Sequence, residues 1–437
     1  MSERWARAIL TTYRWMGAAA YPLIGGYVAW RASRGKEEAA RRKERYGKTE
    51  FKRPQGPLVW MHAASVGETV SVVPLIEHIL SFGINTVLTT GTVTSAQVAR
   101  ERLGDRVIHQ YVPLDLKPAV SRFLDHWSPD LAIIAESEIW PMTILELGAR
   151  RVPQVLVNGR LSDNSFASWK KRPYLAEALF ENLAHVIAQS DVDAERFLML
   201  GARPVTVSGN LKVDSPPPPV NESILRELHA QIGDRPVWAA ISTHEGEDAI
   251  AARVHTRLKN RQPDILTVVV PRHPERAEAI AAELAELGLK VARRTTGDPI
   301  TADTDIFLGD TIGEMGLYLR LTEIAFVGRS LTWEGGQNPL EPAMLGTAVL
   351  AGRNVQNFRD SYQKLLQSGG AKLVRDEEML AGAVNYLLSN DDIRRSMMKA
   401  GEETVAQMRG ALDHTTAALE PYIQPLVVKS RLHGGNG

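Results

Sequence analysis

The sequence predicts an α/β protein built from two doubly wound, Rossmann-like domains. Short apolar runs alternate with amphipathic helical stretches, as is typical of parallel strands that are covered by helices on both faces. The alternation is interrupted by the four-proline run Pro216–Pro219, which suits neither a helix nor a central strand, and it then starts again. With 437 residues, the chain is long enough for two such domains.

The apolar runs define the expected strands and domains. Strands are expected at 58–61, 86–90, 131–135, 155–158 and 185–188, and after the prolines at 237–241, 266–270, 305–308, 324–327 and 348–350. Helices are expected at 69–80, 95–103, 391–409 and 413–422, among others. We therefore expect an anchor and basic flank at 1–45, an α/β domain at 46–215, a linker at 216–220, a second α/β domain at 221–410, and a helix and tail at 411–437.

Composition excludes several classes of site. Lys plus Arg and Asp plus Glu both number 51, so the protein has no net charge with which to bind nucleic acid through bulk electrostatics. The chain has no cysteine, which excludes disulfides, zinc thiolate sites and cysteine nucleophiles.

The N-terminal segment predicts a membrane anchor. Trp15–Trp30 carries no charge, is bounded by aromatic residues and is followed by a basic run at 41–45. The segment is shorter than the roughly 20 apolar residues of a full span, so it can cross the membrane or lie in its interface. A cleaved signal peptide and a buried helix are the alternatives. The basic flank would keep the following domain in the cytoplasm.

Glu68 is the candidate general base. It follows the strand 58–61 within HAASVGE, where Gly67 and the alanines allow a substrate to approach the backbone. A carboxylate at this strand end suits proton removal from an acceptor hydroxyl. The alternative is a capping box, in which Ser65 and Glu68 satisfy the first amides of the helix.

Further charged residues follow the expected strands at 131–135 and 155–158. Glu136 and Glu138 come directly after 131–135, where they can orient a basic group or an acceptor, or can cap the helix that Pro141 starts. Arg160 and the basic run 170–172 can meet phosphates on an acceptor. A solvated basic face is the alternative for this run.

In the second domain, three strand–helix loops have the character of an anion site. Each combines hydroxyls, glycine or cations with a helix N-terminus, whose free amides and dipole attract phosphate. The candidate residues are Ser242, Thr243, Arg272, His273, Thr311, Gly313 and Glu314.

A fourth loop, GGQNPLEPA, adds a candidate ribose site. Gly335 and Gly336 permit unusual backbone angles and close approach of a ligand. Asn338 and Pro339 also suit the start of a helix, and Glu341 suits either its first turn or two ribose hydroxyls.

Motifs of other nucleotide enzymes are missing from the sequence. It contains neither a phosphate loop nor a dinucleotide fingerprint after the first strand, and it has no zinc-protease motif or metal-holding D-x-D. We therefore expect neither a kinase nor a dehydrogenase, and no metal or cofactor.

Eight blocks resemble, in order, the Kdo (3-deoxy-D-manno-octulosonic acid) transferase family of lipid A biosynthesis. They are HAASVGE, ESEIWP, NGRLS, GNLKVD, STHEGE, PRHPER, DTIGEM and GGQNPLEPA. The resemblance implies a GT-B glycosyltransferase with an acceptor domain followed by a nucleotide domain. It implies CMP-Kdo as donor, a phosphorylated lipid A precursor as acceptor, and a location on the cytoplasmic face of the bacterial inner membrane.

The resemblance also assigns roles. Glu68 aligns with the family's proposed base for an inverting displacement, and Ser65, Gly67, Glu136, Glu138 and Arg160 fall on the acceptor side. In the mechanism that we expect for such an enzyme, Arg272, with amides near Ser242 and Gly313, would steady the departing phosphate. Asn338 and Glu341 would hold the ribose, and Lys212 would meet the donor's charge. CMP-Kdo has a single phosphate, so no metal is required.

Two departures and two rival functions remain. Gln337 stands where the family often has histidine, and Met142 where it often has asparagine. A nucleotide-sugar epimerase shares the two-domain architecture but needs no membrane anchor. A non-catalytic nucleotide-binding or scaffold protein has no use for carboxylates at both Glu68 and Glu341.

Overall fold

The computed structural model describes Thr12, Ala32, Arg34 and residues 37–434. The expected anchor at 15–30 lies outside the described residues. Within the described part, no helix is long and apolar enough to cross a membrane. Residues 39–46 form a 3₁₀ helix that leads into the first sheet.

The first unit comprises the chain up to Ser215 and from Arg409 onward. Its parallel sheet has the order β3-β2-β1-β4-β5-β6-β7. The strands are β1 (Leu58–Ala63), β2 (Asn85–Thr90), β3 (Ile108–Tyr111), β4 (Leu131–Ala135), β5 (Gln154–Gly159), β6 (His185–Ala188) and β7 (Val205–Val207). The helices are α1 (Val66–Ser81), α2 (Val93–Leu103), α3 (Lys117–Trp127), α4 (Pro141–Ala149), α5 (Asp163–Lys170), α6 (Pro173–Phe180) and α7 (Asp191–Met199).

The second unit is Pro216–Met408, and its parallel sheet has the order β10-β11-β9-β8-β12-β13-β14. The strands are β8 (Val237–Thr243), β9 (Leu266–Pro271), β10 (Val291–Arg293), β11 (Ile306–Leu308), β12 (Ile324–Val327), β13 (Ala348–Ala351) and β14 (Ala371–Leu373). The helices are α8 (Glu222–Ile232), α9 (Glu247–Lys259), α10 (Ala277–Glu286), α11 (Met315–Leu319), α12 (Leu340–Met344), α13 (Arg359–Ser368), α14 (Glu377–Ser389) and α15 (Asp391–Gln407).

The doubly wound α/β prediction is confirmed in both units. Every residue of β1, β4, β9, β12 and β13 is buried, because helices cover both faces of each sheet. In each sheet the strand order reverses beside the first strand, β1 or β8, and doubly wound sheets bind ligands at the carboxyl ends of the strands at such a reversal.

The C-terminal helix α16 (Ala411–Gly434) belongs to the first unit. It is longer than the expected 413–422 and continues through Pro421 and Pro425. Leu419, Ile423, Leu426 and Val427 join the apolar core between α1 and the sheet. The tail is therefore a structural layer of the N-terminal half of the chain.

Candidate active site

Strained backbone marks the carboxyl ends of central strands in both units. Glu136 (φ 56°) follows β4, and Asn158 (φ 51°) lies in β5. Ser242 (φ 52°) lies in β8, and Arg329 (φ 56°) follows β12. Left-handed φ costs a non-glycine residue about 1–3 kcal/mol, and such strain concentrates at functional sites. These strand ends are therefore the places to examine for chemistry.

Glu68 lies in the first turn of α1, and the capping box is present. The Ala64 N–H donates to Glu68 Oε2 (2.8 Å) and the Ser65 hydroxyl donates to Oε1 (2.8 Å). The Glu68 N–H donates in return to Ser65 Oγ (3.3 Å). Glu68 is 8% exposed, and its contacts with Ala64 and Ser65 fix its carboxylate in position.

Two further carboxylates act on Glu68. Burial raises the pKa of Glu68 above its usual value, and the negative charges of Glu136 and Glu138 raise it further. Hydrogen bonds from Ser65 and Ala64 oppose this shift only in part. A carboxylate whose charged form is disfavoured in this way is a better proton acceptor than an exposed glutamate.

The helix after ESEIWP is not capped by Glu136 or Glu138, so that interpretation of the pair is wrong. Asp115 caps α4 instead: its carboxylate accepts from the N–H groups of Met142 (3.0 Å) and Thr143 (2.8 Å). Met142 is fully buried in the core. Helix capping therefore leaves the charges at 136 and 138 unexplained.

Glu138 contacts two aromatic side chains. The Trp140 indole N–H donates to Glu138 Oε2 (2.6 Å), and His62 Nε2 lies 3.7 Å from the same oxygen. Burial alone would raise the pKa of Glu138, but these two neighbours outweigh burial and hold its pKa below the usual value. Glu138 therefore keeps its negative charge near Glu68.

Lys212 completes the cluster in the first unit. Its Nζ lies 2.5 Å from Glu136 Oε1. A β-carbon at Gly67 would lie 3.7 Å from Lys212 Cε, so Lys212 also lies beside the loop that carries Glu68. The expected mechanism assigned Lys212 to the donor, whereas the structure places it among the carboxylates of the first unit.

Asn158 is a functional candidate that sequence reasoning missed. It is fully buried, its amide nitrogen lies 3.4 Å from Glu136 Oε1, and its Oδ1 accepts from the Leu211 N–H (3.1 Å). Asn158 thus joins Glu136 to the turn that carries Lys212. Its strained backbone was invisible in the sequence. Arg160 lies half-buried directly after β5, at the same sheet edge.

In the second unit, Glu247 organises the loops after β8 and β12. Its Oε2 accepts from the backbone N–H groups of His244 (3.0 Å) and Arg329 (2.6 Å), and its Oε1 accepts from those of Ser330 (2.9 Å) and Leu331 (3.1 Å). Glu247 is fully buried. Glu247 was not among the predicted site residues, although His244-x-x-Glu247 has the spacing of a helix cap.

Of the other predicted anion-site residues, some already bind side chains of this chain and others are exposed to a ligand. The Thr243 hydroxyl donates to Asp248 Oδ1 (2.5 Å), and Glu314 accepts from Arg294 through both carboxylate oxygens (3.0 and 2.9 Å). Thr311 also donates to Glu314 (2.7 Å). Arg272 is exposed, and no ion pair involving it occurs among the described residues. Its guanidinium is therefore accessible to an external anion.

The GGQNPLEPA loop owes its glycine pair to contacts within the chain. Gly335 and Gly336 have φ of 112° and 72°, and a β-carbon at Gly336 would lie 2.9 Å from Val355 Cα. The Asn338 side chain accepts from the Leu340 N–H (3.1 Å), and α12 begins one residue later than expected, with Pro339 at its N-cap. Glu341 lies in the first turn of that helix.

Comparison with known proteins gives the family. A family model described as 3-deoxy-D-manno-octulosonic-acid transferase (kdotransferase) matches residues 40–215. The 3-deoxy-D-manno-octulosonic acid transferase of Haemophilus influenzae is 33% identical over 408 residues, which cover 91% of this chain and 94% of that protein. The chain belongs to the Kdo transferase family.

Solved structures agree with the fold of this Kdo transferase family member. A glycosyltransferase from Rickettsia africae matches with a TM-score of 0.59 at 14% identity, over 86% of this chain and all of that one. The UDP-GlcNAc 2-epimerase from Neisseria meningitidis matches with a TM-score of 0.58 at 13% identity, over 83% and 99% of the two chains. The expected GT-B architecture is confirmed, and at these identities the matches speak for the fold alone.

Proposed function

We propose that this Kdo transferase moves Kdo from CMP-Kdo to a phosphorylated lipid A precursor such as lipid IVA, by an inverting displacement with Glu68 as the general base. The observation that carries the proposal is the carboxylate of Glu68, which is fixed by Ala64 and Ser65 and has a pKa raised by burial and by two neighbouring charges. The identity of the transferred sugar, Kdo, is inferred from the family to which the chain belongs.

The first unit would supply the proton acceptor. Glu68 takes the proton of an acceptor hydroxyl as the hydroxyl oxygen attacks the anomeric carbon of Kdo. Glu136 and Glu138 strengthen the base because their charges disfavour a third carboxylate anion nearby. Lys212, 2.5 Å from Glu136, limits that repulsion and adds a cation for an acidic substrate. Ser65, Gly67 and Arg160 would form the rest of the acceptor side.

The second unit would hold the leaving group. The bond between the anomeric carbon and the phosphate oxygen breaks as the new bond forms, and CMP departs with that electron pair. Arg272 is exposed, and it would stabilise the phosphate charge with His273 and with backbone amides near Ser242 and Gly313. Asn338 and Glu341, at the start of α12, would bind the ribose.

We place the reaction at the cytoplasmic face of the bacterial inner membrane. The uncharged stretch at 15–30 and the basic residues after it support this location. A lipid acceptor would then be within reach of an enzyme that is held at the same surface.

The function is tested by incubating the purified full-length protein with CMP-Kdo and lipid IVA and identifying the lipid by mass spectrometry. We expect the lipid mass to rise by one or more Kdo units while CMP is released. The control replaces CMP-Kdo with a UDP-sugar and should leave the lipid unchanged. Release of CMP with no change in the mass of the lipid would refute the acceptor assignment, and no turnover of CMP-Kdo would refute the donor.

A further inference from the structure

The imidazole of His244 is held by residues from two other loops of the second unit, the loop after β9 and the loop between β12 and α12. Gln337 Nε2 lies 3.1 Å from His244 Nε2. The His273 ring packs edge-on against it, with 5.6 Å between ring centroids at 90°, and the Trp333 ring lies 6.5 Å away. The His244 backbone N–H is fixed separately by Glu247. Both the position and the orientation of this ring are therefore determined by its neighbours.

The contact with Gln337 determines where the imidazole proton lies. The amide nitrogen of glutamine can only donate, so His244 Nε2 must accept with its lone pair. A neutral imidazole that accepts at Nε2 carries its proton at Nδ1. Within the part of the chain that the structure describes, His244 Nδ1 has no hydrogen-bond partner. This leaves one N–H donor for an external ligand.

The surroundings keep this imidazole neutral. Burial lowers the pKa of His244 below its usual value, and the positive charge of Arg329 lowers it further. Glu247 acts in the opposite direction, while His273 and Arg272 add to the lowering. At neutral pH the ring is thus a directed hydrogen-bond donor without a charge of its own.

We propose that Gln337 is a positioning residue that holds His244 in the Nδ1–H form, and that this N–H donates to an anionic oxygen of the sugar donor. The inference rests on the proposed function, because it concerns the same donor site. His244 lies between Thr243 and the start of α9, in the loop where an anion is expected, and Arg272 follows the neighbouring strand β9. The positive charge of Arg272 would attract the anion, and the uncharged N–H of His244 would fix the direction from which the anion is bound.

The positioning role can be read directly by NMR, without any substrate. The full-length protein has 11 histidines, so the His244 imidazole signals in ¹⁵N-histidine-labelled protein are assigned by their loss in His244→Phe. We expect the Nδ1–H form in the wild type, and a mixture of both tautomers in Gln337→Met, which has similar length but no donor. Nε2–H in the wild type, or an unchanged tautomer in Gln337→Met, would overturn the positioning role.

Binding of donor fragments tests the N–H contact and identifies the oxygen. In His244→Phe we expect about tenfold weaker binding of CMP or of free Kdo, the loss expected for one hydrogen bond to a charged group, with cytidine binding unchanged. Loss for CMP assigns the phosphate, and loss for Kdo assigns the sugar carboxylate. The matched control is His229→Phe, because His229 is an exposed residue of α8.

Unchanged binding of both CMP and Kdo in His244→Phe would overturn the contact. These measurements use no lipid, so their failure is distinguishable from failure of the proposed function. If the protein bound CMP through His244 but transferred nothing to lipid IVA, the acceptor assignment would fall while this inference stood.

Discussion

The two units place a glutamate at the same point of the same topology and treat it in opposite ways. In each unit the first strand beside the reversal of strand order, β1 or β8, leads into a helix whose first turn contains the glutamate. Glu68 receives one backbone N–H and one hydroxyl and lies near two further carboxylates. Glu247 receives four backbone N–H groups and is sealed from solvent.

In the proposed mechanism, the environment of each glutamate, not the residue type, makes Glu68 a reactive carboxylate and Glu247 a structural one. Four N–H donors satisfy the charge of Glu247 and consume its acceptor capacity, so it can only hold loops together. Glu68 retains acceptor capacity, and its neighbours disfavour its charge, so accepting a proton relieves repulsion. Substitution by glutamine, which keeps the shape and removes the charge, should separate the two roles.

The largest expected effect is on transfer by Glu68→Gln. Glutamine can accept from the Ala64 N–H but cannot remove a proton near neutral pH, so the Kdo transfer rate should fall by about 10²–10⁴. Thermal stability and CMP affinity should change little, because the capping geometry survives and the nucleotide is assigned to the other unit. Transfer rate, melting temperature and CMP affinity are measured on the same preparation.

Glu77→Gln is the control for this variant, since Glu77 lies in the same helix on the surface and pairs with Arg106. It should transfer at the wild-type rate. A folded Glu68→Gln protein that does the same would reduce Glu68 to a helix cap.

The next effect is on the stability of Glu247→Gln. A glutamine offers one acceptor oxygen, so two of the four backbone N–H groups would face an NH₂ group instead. At about 1–3 kcal/mol for each buried donor left unsatisfied, we expect a loss of about 2–6 kcal/mol from the second unit, measured by denaturant unfolding. CMP binding should weaken as the loops loosen.

The comparison variant is Glu245→Gln, two residues earlier and exposed, whose unfolding should match the wild type. If Glu247→Gln were as stable as the wild type, the four hydrogen bonds would not hold the loops together. Glu247 could then no longer be contrasted with Glu68 as a structural residue.

The sequence predicted the interior of both sheets and missed the edges, for a physical reason. All interior strands were expected, whereas β3, β7, β10 and β14, which end the two sheets, were not. Edge strands are covered on fewer sides, so they are short and carry exposed residues, as the partly exposed β7 does. Runs of apolar residues therefore predict the buried strands in the centre of a sheet but not the strands at its edges.

The candidate site was predictable in part for a related reason. Glu68, Glu136 and Glu138 each follow an apolar run closely in the sequence, so local sequence alone placed them at strand ends. The pairing of Lys212 with Glu136, the role of Asn158 and the capping of α4 by Asp115 join segments far apart in the chain. Such contacts follow from the fold, and no local pattern contains them.

The smallest expected effect is a shift of the pH profile in Glu138→Gln. In the proposed mechanism the ionised form of Glu68 is the base, so kcat/KM should fall as the pH drops through the pKa of Glu68. That pKa lies above the usual value because of burial first and then the charges of Glu136 and Glu138. Removing the charge of Glu138 removes one raising contribution, so the acid limb should move to lower pH. Glutamine can still accept from the Trp140 indole, so the plateau rate should change by less than about tenfold.

The measurement is kcat/KM for transfer across the acid range. The control is Glu101→Gln, which removes an exposed carboxylate on α2 and should leave the acid limb in place. If the acid limb of Glu138→Gln stayed in place or moved to higher pH, the neighbouring carboxylates would not set the pKa of Glu68. The contrast with Glu247 would then rest on solvent access alone.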